Sequence, residues 1–168
     1  MTNTTLGPET VLRRAVIGDC PQLLRLIHEL AIYEKEPDAV RTTVEDLERH
    51  LFGESPAVFA HVVEERGELV GCAIWFLTFS TWEGTHGIHL EDLFVQPTHR
   101  GSGFGKALLA ALARECAERG YKRLEWAVLD WNQPSIEFYK ALGAMPMDEW
   151  TTFRLDGAAL RNLGATTV

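Results

Sequence analysis

The chain has 168 residues, with 24 acidic against 16 basic side chains and a formal net charge of −8. That length supports one substantial core, and the acidic balance argues against a nucleic-acid or anionic-membrane partner while suiting a small cationic one. Cys20, Cys72 and Cys116 lie far apart without C-x-x-C spacing, and residues 1–10 carry no leader pattern; both point to the reducing cytoplasm rather than to zinc, disulfides or export.

In chain order, residues to about Pro8 are polar and read as loose, and Val11–Ile17 reads as a first strand. Asp19 is a candidate N-cap, and Leu23, Leu24, Ile27, Leu30 and Ala31 recur at helical spacing from Pro21 to about Glu34. After the break at Glu36-Pro37-Asp38, Thr42 and Glu45 have capping-box spacing for a second helix to about Leu51, closed by Gly53. Ala57–Glu65 and Leu69–Phe79 read as a β-hairpin turning at Arg66-Gly67-Glu68. Its second strand is long and almost wholly apolar, hence central.

After a turn at Thr81-Trp82-Glu83-Gly84, Ile88–Val95 reads as a strand whose pattern changes phase. Ile88 and Leu90 share one face, Leu93 and Val95 fall on the other parity, and Glu91-Asp92 stand at the slip. One extra residue there makes a β-bulge, which bends a strand and loosens its pairing. A strand buried on both faces also dispenses with alternation, so both readings stand.

This strand feeds Arg100-Gly101-Ser102-Gly103-Phe104-Gly105-Lys106, which opens a helical stripe of Phe104, Ala107, Leu108, Ala111, Leu112 and Cys116 ending at Gly120. Alternating glycines let the backbone approach a ligand, and the first N–H groups of the helix face it, an arrangement suited to phosphate or pyrophosphate. A Walker loop needs glycine at Arg100 and Ser or Thr at Ala107, and a dinucleotide fingerprint needs glycine at Lys106, so neither applies. Arg-x-x-Gly-x-Gly is then a plain connection or an anion cradle, and the basic Arg100 and Lys106 favour the cradle.

Leu124–Leu129 reads as a strand parallel to Ile88–Val95, because a strand, helix and strand in succession form a right-handed crossover. A bulged strand beside a parallel one splays and exposes backbone groups to an extended, amide-bearing ligand. Asn132 is a candidate N-cap for a helix carrying Ile136, Tyr139 and Leu142 to Gly143, followed by a strand over Trp150–Leu155 and a helical tail near Ala158–Leu163. The order predicts a mixed α+β fold, mostly antiparallel with one central parallel pair, in a single domain over residues 1–168. His86, His89 and nearby Glu83 suggest metal spacing, but strand positions three apart face opposite sides, so no metal is expected.

The loop Arg-x-x-Gly-x-Gly after a phase-slipped strand, Asn132 at the next strand end and Tyr139 seven residues on resemble the GNAT superfamily of acetyl-CoA-dependent N-acetyltransferases. His28-Glu29-Leu30-Ala31-Ile32-Tyr33-Glu34, Ser80-Thr81-Trp82-Glu83-Gly84, Leu90-Glu91-Asp92-Leu93 and Ala127-Val128-Leu129-Asp130-Trp131-Asn132 resemble its diamine (spermidine/spermine) branch, including thialysine-acetylating members. The resemblance implies a GNAT-type fold, acetyl-CoA as co-substrate without a metal, and a homodimer acting on a small amine. It assigns the coenzyme pyrophosphate to the run Arg100, Gly101, Ser102, Gly103, Phe104, Gly105 and Lys106, and the pantetheine arm to the backbone of Leu93, Phe94 and Val95. Asn132 and Ser135 fall at coenzyme contacts, and Tyr139 near the thioester sulfur as general acid. A phenol near pKa ~10 donates to a leaving thiolate, whose conjugate acid lies near ~8.5, with little mismatch.

The same resemblance gives Glu91 amine binding and, through a water, deprotonation, and gives Asp92 a lesser role. Tyr33 and Glu34 match positions that reach the amine, across a dimer interface, and Trp82, Glu149 and Trp150 are further candidates for amine contact. Ser80 stands two positions before Trp82, where polyamine-acting members carry an acid, as in the thialysine-like members. A diamine or S-aminoethyl-cysteine-like amino acid therefore competes with spermidine and spermine. Cys116 lies inside the helical stripe and is a poor nucleophile, so the implied route is direct attack in a ternary complex. Protein or peptide N-acetylation and a non-catalytic acyl-CoA sensor are the alternatives.

Overall fold

Arg66 and Gly67 both have positive φ, 54° and 84°, as a two-residue hairpin turn of the primed type requires. The turn joins β3 (Val58–Glu65) to β4 (Glu68–Ser80) with Glu65 opposite Glu68, which sets the register at the centre of the sheet. In a computed structural model describing residues 3–166, these strands lie in a sheet with β1 (Thr4–Gly7), β2 (Thr10–Arg14), β5 (Thr85–Val95) and β6 (Leu124–Glu125), in the order β1 to β6. Every pairing is antiparallel except that of β5 with β6. The helices are α1 (Cys20–Tyr33), α2 (Val44–Phe52), α3 (Phe104–Arg119), α4 (Gln133–Ala141) and α5 (Gly157–Gly164). The mixed α+β class with one parallel pair is thus as expected. By contacts the chain forms two units, one up to Ala127 and one from Val128; α4 and α5 belong to the second.

In the first unit both faces of the sheet are covered. Leu23 and Leu26 of α1 and Leu47 and Leu51 of α2 pack with Ala60, Val62, Cys72, Ile74 and Phe94. On the alternate parity, Leu108 and Leu112 of α3 are fully buried, as are Val63, Ala73 and Trp75 or nearly so. A Cβ at Gly71 would stand 3.7 Å from the Leu108 side chain, which puts that parity against α3. A strand buried on both sides needs apolar residues at successive positions, and β4 shows this over Leu69–Trp75.

Several local expectations are corrected. Thr4–Gly7, expected to be loose, pairs with β2 as an edge strand; Met1 and Thr2 of that stretch, and Thr167 and Val168 at the other end, lie outside the described residues. The first long strand stops at Arg14 instead of Ile17, because the Asp19 carboxylate accepts the Val16 N–H at 2.8 Å and the Arg13 guanidinium at 2.7 Å and draws residues 17–19 into a 3-10 turn. Those bonds also occupy Asp19, whose side chain does not cap α1. The capping box lies one residue later than expected, between Thr43 and Asp46: Asp46 N–H donates to Thr43 Oγ1 at 3.2 Å, and Thr43 N–H to the Asp46 carboxylate at 3.1 Å. β6 is two residues long rather than six, since its pairing ends where β5 bulges. Residues 151–156 form no strand and Phe153 is 91% exposed; a strand is defined by its ladder, and among the described residues of the second unit there is no other strand to supply one.

Candidate active site

Opposite β4, the register runs Ile74 with Asp92 and then Trp75 with Leu90. Glu91 is the residue left over, so the phase slip is a β-bulge. The bulge separates two neighbouring carboxylates. Glu91 is carried outward, with its side chain 59% exposed, and its Oε2 lies 3.8 Å from His89 Nε2. Asp92 shares the face of Ile74 and Phe94, towards α1. Burial, then the charges of Glu91 and Glu34, push its carboxyl up to about 6. Glu34, which ends α1, is itself shifted upward by burial. Carboxylates from two distant segments thus act on the partly buried Asp92, whose protonation they favour unless a cation joins them.

Beyond the bulge β5 has no β6 ladder: the parallel pairing covers Ile88 with Leu124 and His89 with Glu125. On this stretch the Val95 carbonyl accepts Arg100 Nε at 3.2 Å. The Arg100 guanidinium folds back over the rings of Tyr33 at 4.6 Å and Phe94 at 5.9 Å. One side chain of the glycine loop thereby joins the end of α1 to the splayed part of β5.

In the loop itself Gly101 and Gly103 both have φ of 82°, the left-handed region that side chains resist. A Cβ at either would meet nothing within 4 Å, so glycine is required by the backbone turn and not by crowding. The first helical bond of α3 runs from Ala107 N–H to Gly103 O at 2.9 Å, which leaves the amides of Phe104, Gly105 and Lys106 as the donors of the helix N-terminus. This open cradle of amides beside Arg100 and Lys106 fits a pyrophosphate. Gly103→Val should destabilise the fold by about 1–2 kcal/mol from backbone strain alone, read as a lower urea midpoint; an unchanged midpoint would contradict the strain.

The second unit holds the remaining candidates. Asn132 is 6% exposed, and its Oδ1 accepts the Ser135 N–H at 3.4 Å, so it caps α4 as expected. Tyr139 lies on α4 with its ring 5.4 Å from that of Phe138, and Glu149 sits in an exposed loop. Within the first unit, Tyr33, Glu34, Glu91, Asp92, Phe94, Val95 and Arg100 come together. Trp82 does not join them: it is 85% exposed in the turn at the far end of β5. His86 and His89 take different partners, the Thr78 carbonyl at 2.9 Å from His86 Nδ1 and the Phe76 ring at 4.9 Å from that of His89.

Comparison with known proteins bears on this arrangement. The profile described as the Acetyltransferase (GNAT) family matches residues 22–144. The thialysine N-epsilon-acetyltransferase of Bos taurus is 40% identical over 164 residues, covering 91% of this chain and 96% of that protein. The spermidine/spermine N(1)-acetyltransferase-like protein 1 of Homo sapiens is 33% identical over 90% of this chain and 23% of its own length. Among solved structures, an integron cassette protein from the mobile metagenome of V. cholerae superposes with a TM-score of 0.81 at 26% identity, covering 95% of this chain and all of its own.

Proposed function

Because the chain belongs to the GNAT family of acetyltransferases, we propose that it moves acetyl from acetyl-CoA to the primary amine of a small thialysine-like amino acid, diamine or polyamine. The observation that carries this reading is the cluster of Glu34, Glu91 and Asp92 beside the splayed end of β5. A cationic amine relieves the mutual repulsion there, and each carboxylate in turn holds the amine in place. The likeness to thialysine acetyltransferases and the hydroxyl of Ser80 in place of an acid favour the shorter amines.

In this reading the loop amides of Gly101–Lys106 and the side chains of Arg100 and Lys106 hold the coenzyme phosphates. The backbone of Leu93, Phe94 and Val95 receives the amide-bearing arm, and Asn132 and Ser135 contact it. Arg100 must leave the Val95 carbonyl to free it for that arm. Glu91, more exposed than Asp92, takes the ammonium proton through water; the neutral nitrogen then attacks the acyl carbon directly. As the C–S bond breaks, Tyr139 gives its proton to the departing sulfur, and the proton that the new amide nitrogen sheds returns through water to the phenolate. Tyr33, beside Glu34, completes the amine site within the chain, and Trp82 and Glu149 reach it from a second copy. The exposure of Met145, Met147, Trp150 and Phe153, between 62% and 91%, supports such a homodimer, since apolar side chains at that density mark contact surfaces. Among the described residues no helix is long and apolar enough to cross a membrane.

The test is acetyl-CoA-dependent release of free thiol against putrescine, spermidine, spermine, thialysine, lysine and a lysine peptide. Thialysine or a short diamine should lead by about tenfold in kcat/KM, about 1.4 kcal/mol of discrimination. Silence on every small amine with acetyl-CoA still bound would overturn the substrate assignment. Glu91→Gln should raise the amine KM about tenfold and leave the coenzyme Kd unchanged by calorimetry; a loss confined to coenzyme affinity would remove Glu91 from the amine site.

A further inference from the structure

We propose a second ligand site, unrelated to acetyl transfer, in a cavity where the β1–β3 edge of the sheet meets α3: it binds a small oxyanion, a carboxylate or a phosphate, on Arg14. The cavity measures about 330 Å³ and opens between Thr4 and Leu12 on the sheet side and Ala111 on the helix. That is room for several water-sized groups, each taking roughly 30 Å³ in the liquid, and so for a small organic anion. It lies on the α3 face, whereas Asp92 lies on the α1 face.

Arg14 is the centre of the site. Its guanidinium lies over the rings of Trp75 at 4.9 Å and Phe59 at 5.2 Å. Its Nη1 is buried and has no hydrogen-bond partner among the described residues. Arginine keeps its charge in proteins, and although Arg14 as a whole is half-buried, a buried N–H left without a partner is costly. The carboxylate best placed to neutralise it is taken, because Glu115 is bound to Arg119 at 2.7 Å. Arg114 and Glu118 add one charge of each sign to the wall, so three arginines face two carboxylates and the cavity is left with one uncompensated positive charge.

His61 supplies a second, neutral donor. It is 6% exposed, and its Nδ1 accepts the Trp75 indole N–H at 3.1 Å. Burial, then the charges of Arg14 and Arg114, hold its pKa down near about 4. At neutral pH the imidazole is therefore uncharged with its proton on Nε2, leaving an N–H in the wall of the cavity. A fixed guanidinium, an imidazole N–H and the hydroxyl of Thr4 are donors matched to the oxygens of a carboxylate or phosphate.

The Trp75 indole reports on this site through His61, so the experiment follows its N–H resonance in the full-length protein. Inorganic phosphate and citrate are titrated separately with coenzyme A present to occupy the glycine loop, and sodium chloride at matched ionic strength is the control. The expected result is a saturable shift with one or both anions, weakened at least ~10-fold in Arg14→Met, as loss of a charge-assisted hydrogen bond implies. Saturation by citrate alone marks a carboxylate ligand, by phosphate alone a phosphorylated one. Arg114→Gln, at an exposed helix position, gives a second reading that does not depend on a core substitution and should also weaken binding. No saturable shift, an equal shift with chloride, or unchanged affinity in both variants overturns the proposal.

Discussion

Tyr139→Phe is expected to lower kcat by about 10²–10⁴-fold, the range of a lost general acid, with the acetyl-CoA Kd unchanged. The substitution keeps the ring that packs 5.4 Å from Phe138 and removes one hydroxyl, so stability should move by about 1 kcal/mol or less. The effect is large because the leaving sulfur departs as an anion unless a proton arrives with it. A phenol remains protonated at neutral pH and therefore serves as the donor over the whole working range. Single-turnover rates with saturating amine, alongside calorimetry with acetyl-CoA, separate chemistry from binding. Unchanged turnover would take Tyr139 out of the mechanism.

Asp92→Asn should have two opposed effects. The carboxyl is held at about 6 against an ordinary 3.8, so folding favours its protonated form. Its contribution to stability is fully present below pH ~4 and is lost as pH rises through 6, by about 3 kcal/mol over that displacement. Asparagine resembles the neutral acid at every pH. The variant should therefore match the parent in urea denaturation at pH 4 and exceed it by about 2–3 kcal/mol at pH 7.5, while using amine poorly. A gap that does not change with pH, or a variant less stable at pH 7.5, would show that Asp92 is not held near 6. The same linkage predicts that amine binding tightens as Asp92 loses its proton, since a cation beside it restores the charged form.

Both expectations rest on features differently visible in the sequence. The bulge is one of two readings of the sequence, because the change of parity between Leu90 and Leu93 also suits a strand buried on both faces until the register leaves Glu91 unpaired. The turn at the glycine loop is plainer, since alternating glycines before an amphipathic run serve a backbone need. Which way Asp92 faces was not legible: the Glu91-Asp92 pair reads as a solvated charge run until the register shows Glu91 as the unpaired residue. The meeting of Tyr33 with Arg100 at 4.6 Å has no local signal at all, because residues so far apart in the chain are joined only by the packing of α1 on β5. Thr4–Gly7 was missed for a related reason: a polar edge strand is made by its partner, here β2, and not by its own composition. The opposite error arose at Trp150–Leu155, where aromatic and β-branched residues suggest a strand but pairing is lacking. Arg14 stands beside Arg13 in the sequence, and nothing local distinguishes the two. Adjacent positions on a strand point to opposite faces, and so Arg13 meets Asp19 and Glu64 while Arg14 enters the cavity under α3.

The bulge also limits how this chain can vary in length. Lengthening the β4–β5 turn at Thr81–Gly84 leaves the ladder beyond it in phase, because a turn absorbs extra residues. Losing Glu91 would instead restore strict alternation without turning the rest of the strand: Asp92 to Val95 keep their present partners on β4 and their present faces, Phe94 stays in the α1 core, and what is lost is the bend of β5 together with one carboxylate of the amine cluster. Such a deletion would be felt at the site more than in the core, so any redesign of this scaffold that keeps the bend of β5 has to conserve its residue count.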